Sequence, residues 1–128
     1  MNFVSYAKSK NIYCSSSTNA HFISDKIAKE TVESGLDKLI ISIDGTSQET
    51  YENYRINGDL AKVIQGTKNI LKWKNKLQSK TPLLIFQFLV TKQNEHQINE
   101  LKKLALDIGV DKVNLKTIQV YNYKNGNE

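Results

Sequence analysis

The sequence predicts an α/β fold of about four parallel strands with flanking helices, arranged as a small open sheet or as an arc of a (β/α) barrel. Three observations predict it. Apolar β-rich runs alternate with amphipathic helical stretches along the chain, a pattern that implies parallel strands joined by right-handed crossovers. The run Leu39-Ile40-Ile41-Ser42-Ile43-Asp44-Gly45 is apolar at its start, polar at its end and broken by glycine. Alternation puts Leu39, Ile41 and Ile43 on one face, suited to a helix layer, and Ile40, Ser42 and Asp44 on the other. Finally, polar residues recur towards the strand ends: Cys14, Ser16 and Thr18, then Ser42 and Asp44, Gln87, and Asn114 with Lys116. A dry sheet sandwiched between helices would leave those groups unpaired, whereas a barrel lumen holding a polar ligand would satisfy them, so the pattern favours the arc.

Each element has a local reason. Phe3, Val4 and Ala7 among lysines give the opening residues a helical pattern, as in the last turns of a helix. Asn11 to Ser17 is a modest strand, followed by Thr18-Asn19. Ser24 is placed to cap a helix that runs to Ser34 and stops at Gly35. After the central strand, Thr46 and Glu49 form a capping-box pattern for a short helix ending near Arg55. Asn57-Gly58 is a turn, and Asp59 caps a longer helix with Leu60, Val63, Ile64, Ile70, Leu71 and Leu77 on one side. Ser79 to Pro82 is a break and Leu83 to Val90 a strand. Asn94 caps a helix with the stripe Ile98, Leu101, Leu104, Ala105 and Ile108, ended by Gly109, before a last strand from Lys112 to Thr117 or beyond. Tyr121 to Glu128 is a polar tail without a periodic pattern. No internal repeat is strong enough to use.

Composition narrows the function. The 128 residues form a single domain, long enough to bury roughly two-thirds of the unfolded surface. The net charge of +5 is spread over scattered lysines, without the basic stripe and aromatic platform that nucleic-acid binding usually needs. The single cysteine, Cys14, excludes an intrachain disulfide and a zinc constellation. No signal region is visible and no apolar run is long enough to span a bilayer, so the expected compartment is cytoplasmic. The missing glycine-rich loop argues against Rossmann or P-loop nucleotide binding.

Thr18-Asn19-Ala20, then Ser42-Ile43-Asp44-Gly45, then Tyr51-x-x-Tyr54-Arg55-x-x-Gly58, with Phe86 to Val90, Asn94-Glu95-His96 and Leu115-Lys116-Thr117 behind them, resemble a radical S-adenosylmethionine (SAM) enzyme. The subgroup they resemble carries a C-terminal SPASM domain with auxiliary iron–sulfur clusters. The resemblance runs from about Asn11 to Tyr123. It implies a partial (β/α)6, TIM-like barrel, a [4Fe–4S] cluster on a CxxxCxxC loop, and reductive cleavage of SAM to a 5′-deoxyadenosyl radical that abstracts a substrate hydrogen. The chain has neither that cysteine motif nor the family's Gly-Gly-Glu-Pro-like element. By resemblance, residues 1–128 are therefore barrel strands three to six, a fragment inactive alone, with the cluster loop and any SPASM domain outside it. One cysteine cannot hold a conventional cluster.

The same resemblance implies cofactor-binding roles. Ser42 helps bind SAM, Asp44 lies on the ribose side, Thr18 and Asn19 form the third-strand pair, and Arg55 suits the methionyl carboxylate. Gln87, Asn114 and Lys116 are lumen candidates from strand alternation alone. No catalytic residue or metal ligand is assigned. Each candidate also has a structural alternative: Ser42 and Asp44 as a strand end and cap, Arg55 as a helix C-terminal cation, Thr18-Asn19 as a turn, Gln87 as an amide between strands, and Lys116 as a solvated side chain. His21 and His96 lack a partnered acid. The substrate is expected to be a peptide or protein, with self-association through an exposed sheet edge. The rival reading is a standalone, non-catalytic α/β module that binds a ligand or protein.

Overall fold

The computed structural model describes residues 2–117 and the two short strands Tyr121–Asn122 and Gly126–Asn127. The elements run α1 (Asn2–Ser9), β1 (Ser15–Thr18), α2 (Asp25–Glu33), β2 (Lys38–Ser42), α3 (Gln48–Tyr54), α4 (Leu60–Lys76), β3 (Leu83–Val90), a 3-10 turn (Glu95–Gln97), α5 (Ile98–Ile108) and β4 (Lys112–Thr117). The four strands form one sheet in the order β1-β2-β3-β4, every neighbouring pair parallel. Two-residue strands β5 (Tyr121–Asn122) and β6 (Gly126–Asn127) pair antiparallel in the stretch expected to lack regular structure. The rest of that tail lies outside the described residues.

One sheet face carries the core. Leu39 and Ile41 of β2, Ile43 just past its end, and Leu84, Phe86 and Phe88 of β3 are all buried in one cluster with Ala28, Val32, Val63, Ile70, Leu101 and Ala105 from the helices. At roughly 1.5–3 kcal/mol for each fully buried large aliphatic or aromatic side chain, this layer is the main source of stability. On the opposite face Ile40, Ser42 and Gln87 are half-buried and Asn114 is exposed. The expected division of the central strand therefore holds.

Register corrects the expectation for the first strand. Ser16 pairs with Leu39 and Thr18 with Ile41, so Ser16 and Thr18 lie on the helix side, and Cys14 packs against the core. Ser15 and Ser17 share the open face instead. A four-serine-and-threonine strand has no apolar alternation to fix which face is inward, and a one-residue slip exchanges the faces. The strand also starts at Ser15 rather than Asn11, which adopts a left-handed φ of 58° in the preceding turn.

Several caps follow the sequence and two do not. Ser24 accepts from the Ile27 N–H, Asp59 from the Lys62 N–H, and Gly35 and Gly109 end their helices at φ 77° and 99°. For α3 the cap is Ser47, which accepts from the Thr50 N–H, so the helix starts one residue after the Thr46-based pattern placed it. Thr46 instead donates through its N–H to Gln97 Oε1 and through Oγ1 to Glu100. Asn94 makes no capping bond to a helix; it is buried and tied to neighbouring loops. Leu77, placed on the apolar stripe of α4, is its largely exposed C-cap. The stripe is completed by small residues instead. Gly66 lies so close to the Ala20 carbonyl that a Cβ would sit 2.4 Å from its oxygen.

The structure also exposes a repeat that the bare sequence did not make usable. Gly35-Leu36-Asp37-Lys38-Leu39 and Gly109-Val110-Asp111-Lys112-Val113 both join a helix end to a strand. Asp37 donates its N–H to the Cys14 carbonyl and accepts the Cys14 N–H on Oδ2 (3.0 and 2.7 Å). Asp111 does the same to Leu84 (3.1 and 2.8 Å). Each carboxylate is then paired with a lysine from the helix before that neighbouring strand, Lys8 of α1 at 2.8 Å and Lys74 of α4 at 3.2 Å.

Lys8 and the Cys14 N–H hold the Asp37 carboxyl below its usual pKa. A depressed carboxyl contributes stability above about pH 4, its unfolded value, and loses it as pH falls further. Asp37→Asn is therefore expected to lower stability at pH 7 and to flatten the acid limb of the urea-unfolding midpoint against pH. An unchanged acid limb would show that the joint carries no linked proton.

Candidate functional site

The C-terminal ends of the strands gather the polar residues. Strand register aligns Ser42 with Gln87 and Gln87 with Asn114, a straight row across β2, β3 and β4. None of the three side chains has a hydrogen-bond partner among the described residues, and none is a buried orphan. They are free donors and acceptors on an accessible face. Lys116 aligns with Leu89, two residues further up β4 on the same face, and is exposed.

Just beyond this row the β2 and β3 backbones part. The last ladder bond runs from the Ile43 N–H to the Gln87 carbonyl at 2.9 Å. Asp44, with only 3% of its side chain exposed, then bridges the gap: Oδ1 accepts the Leu89 N–H at 3.1 Å and Oδ2 accepts Arg55 Nε at 2.7 Å. Gly45 lets α3 turn in tightly here, since a Cβ would lie 2.5 Å from the Tyr51 nitrogen. Arg55 is the C-cap of α3 and its guanidinium also lies over the Tyr54 ring, 5.3 Å from the centroid. Only Nε is bonded among the described residues, which leaves the two terminal nitrogens open for a planar anion. The structure thus brings Asp44 and Arg55 together as a pair. Asp44 is an anchor for Arg55 rather than an open acceptor on the lumen.

Thr18 and Asn19 stand apart from this pair and shape the loop after β1. Thr18 Oγ1 accepts the Ala20 N–H and Asn19 Oδ1 the His21 N–H, at 3.0 and 3.2 Å. These bonds support Ala20 at a left-handed φ of 60°. His21, which lacks a partnered acid, links two loops. Its Nε2 accepts the Asp59 N–H at 2.9 Å, which leaves the proton on Nδ1 to be donated to the Asn19 carbonyl at 3.1 Å. The imidazole stacks on Tyr51, 6.1 Å between ring centroids.

Three residues were not singled out as site residues from sequence. Asn94 donates Nδ2 to the Asp44 and Leu89 carbonyls and accepts the Thr91 N–H. Gln97 accepts the Thr46 N–H and donates to the Ser47 and Thr50 hydroxyls. Both are buried, and they lock the β3–α5 loop to the β2–α3 loop. A polar residue on a loop gives little sequence signal for such bonds, although an Asn four residues past a strand end is a reasonable place to look. Tyr51 is fully buried with an unpartnered hydroxyl. Burial pushes its phenol above the usual pKa, with Arg55 acting against the shift and Asp44 and Asp59 with it.

No family model matches the chain. It is 29% identical over 114 residues to a tungsten-containing aldehyde ferredoxin oxidoreductase cofactor-modifying protein of Pyrococcus furiosus, covering 87% of this chain and 31% of that protein. In structure it is similar to SuiB of Streptococcus suis, with a TM-score of 0.76 at 14% identity over 99% of this chain and 28% of that one. It is also similar to SuiB bound to the precursor peptide SuiA, with a TM-score of 0.72 at 15% identity over 91% and 25% of the two chains. The chain spans less than a third of the length of each of these proteins. The structural likeness shows the fold: a mixed α/β unit of four parallel strands and flanking helices, consistent with part of an α/β barrel.

Three substitutions test the local energetics. Arg55→Ala leaves the Asp44 carboxylate buried without its cation, and is expected to cost about 2 kcal/mol. Because Asp44→Asn removes the same interaction, the double variant should lose about 1 kcal/mol less than the sum in urea unfolding. Additive losses would mean the pair is not coupled. Tyr51→Phe deletes an unpartnered buried hydroxyl and is expected to be neutral or to stabilise by about 1 kcal/mol. It should also lessen the fall in stability above about pH 10, where a tyrosine with a raised folded pKa resists ionisation. A marked destabilisation would reveal a partner for that hydroxyl.

Proposed function

We propose that the chain is part of the SAM-binding core of a radical SAM maturase, contributing barrel strands three to six. The whole protein would cleave SAM reductively and use the 5′-deoxyadenosyl radical to abstract a hydrogen from a peptide or a protein-borne group. The observation that carries this reading is the row Ser42-Gln87-Asn114 on the open sheet face, unpartnered among the described residues, with Ser42 two residues before the Asp44 that holds Arg55. Polar ligands of open α/β sheets and barrels bind at this end of the strands. The order and spacing of the Thr-Asn, Ser-x-Asp-Gly and Tyr-x-x-x-Arg-x-x-Gly elements add the family resemblance. The Pyrococcus furiosus relative is by name a cofactor-modifying protein and SuiB has been solved with a precursor peptide, and both support a maturase.

The residues fit SAM and do not fit an iron–sulfur cluster. Ser42 and Asn114 offer a hydroxyl and an amide to ribose hydroxyls, and Gln87 between them offers an amide. Arg55, oriented through Nε by Asp44, presents its terminal nitrogens to a carboxylate. Thr18 and Asn19 act indirectly, by shaping the loop above β1. When bound, SAM supplies the radical chemistry. Cys14 is the single cysteine, with Sγ 3.5 Å from the Ile12 carbonyl. Among the described residues no group of three His, Cys, Asp or Glu side chains converges to hold a metal. A reducing cluster would have to come from residues beyond this chain.

The deciding experiment is anaerobic iron and sulfide reconstitution of the whole protein, followed by reductant and SAM. The expected result is 5′-deoxyadenosine, with formation reduced about tenfold at limiting SAM in Ser42→Ala, the worth of one hydrogen bond. A protein that binds no cluster and leaves SAM intact would overturn the proposal.

A further inference from the structure

Helix α4 begins on an incomplete capping box. Asp59 caps it by accepting the Lys62 N–H on Oδ1 at 3.3 Å. The reciprocal half of that motif is an acceptor side chain three residues on, reaching back to the N–H of the cap. Here that position is Lys62, which has only donors. The acceptor comes from another loop, since the Asp59 N–H donates to His21 Nε2 at 2.9 Å. The second ring nitrogen is committed as well: Nδ1 lies 3.1 Å from the Asn19 carbonyl, which can only accept. Both bonds exist together only for the neutral ring with its proton on Nδ1. A further proton on Nε2 would set two N–H donors against each other.

We infer that His21 is a protonation-sensitive latch between the loop after β1 and the turn joining α3 to α4, closed while the ring is neutral and released when it is charged. Imidazole is the side chain whose ordinary change of charge falls between about pH 5 and 8. The titratable groups that meet the ring are Asp59, whose carboxylate lies 4.0 Å from Lys62 Nζ, and Tyr51, stacked on its face. Arg55, paired to Asp44, follows one turn further along α3. The neighbouring fastenings do not titrate. Asn69 Nδ2 donates to the Ile23 carbonyl at 2.8 Å and holds the far end of the β1 loop to α4. Gln48 spans the turn from α3, donating to the Gly58 carbonyl at 2.7 Å and accepting the Leu60 N–H at 2.8 Å. Protonation therefore acts on the His21–Asp59 bond, which joins these two fixed pieces. The turn starts at Arg55, whose carbonyl accepts the Gly58 N–H at 2.7 Å. The latch thus steadies the segment that follows the candidate anion-binding side chain, whichever ligand that side chain receives.

The test is NMR of the isotope-labelled full chain between about pH 5 and 8. Nitrogen spectra of the imidazoles report the tautomer, with the exposed His96 as the reference ring. The neutral His21 ring should hold its proton on Nδ1, and the Asp59 amide shift should follow the His21 titration. Hydrogen exchange at Asp59, corrected for its intrinsic pH dependence, should become about tenfold faster once His21 is charged, the worth of one hydrogen bond. The Asn69 side-chain amide should stay unchanged. His21→Phe keeps an aromatic ring against Tyr51 and removes the acceptor, so Asp59 should exchange fast at both ends of the range. Adding Lys62→Glu supplies the missing half of the capping box and should restore slow exchange without the pH dependence. Three results would each overturn the inference: a neutral ring protonated on Nε2, an Asp59 amide indifferent to the His21 titration, or protection kept by a charged ring turned onto the Asp59 carboxylate. So would a failure of Lys62→Glu to restore protection in His21→Phe. If His21→Phe does not fold, the tautomer and the Asp59 response in the unsubstituted chain decide alone.

Discussion

Beyond Ser42 and Gln87 the β2 and β3 backbones separate, and the Asp44 carboxylate stands in for the ladder that ends there. Its two oxygens take the Leu89 N–H and the Arg55 guanidinium, while Asn94 satisfies the carbonyls of Asp44 and Leu89 from the other side. Splayed strand ends normally leave backbone groups that only water can satisfy. Here two buried side chains do so, and the opening between the strands becomes a fixed feature. Arg55 is held at its rim, and the start of α3 is held by Gln97 through Thr46, Ser47 and Thr50. Removing the carboxylate would loosen the strand end, the arginine and the loop together, so the geometry of the candidate site rests on that one group.

The two Asp-based joints give the opposite end of the sheet a different character. Each clamps a strand to its neighbour by a reciprocal pair of backbone bonds and a lysine, which makes α1-β1-α2-β2 and α4-β3-α5-β4 two copies of one plan. Helix α3 lies between the two copies and carries Tyr51 and Arg55. The close approach of Gly66 to Ala20 and the His21–Asp59 bond fasten α4 and its N-cap to the loop after β1.

Much of this was legible in the sequence because the signals were apolar and periodic. The strand at Leu83–Val90, the inward face of the central strand, and the helix ends at Gly35 and Gly109 all rest on runs of large side chains or on glycine. The illegible parts are polar. Ser15–Thr18 offered no apolar side chain to set its register, so Thr18 was placed on the wrong face. Thr46 and Ser47 are both competent caps, and the choice between them was made by Gln97, fifty residues away. Asn94 is as well suited to capping as to bridging, and only the parting of two strands decides its use. The repeat was hidden because its residues, Asp and Lys, are common; what identifies it is the identical pair of bonds.

The clamped end has a bearing on how such a chain can change over time. Only two residues, Leu36 and Asp37 or Val110 and Asp111, separate each helix-terminating glycine from the lysine that opens the next strand. Added length there would pull the aspartate off the strand it grips, so these connections tolerate almost no insertion. The connections at the other end run longer and are held by side chains that can be exchanged singly. Variation in length and composition is thereby channelled to the end that meets ligands, and the architecture can be inherited unaltered while its specificity drifts.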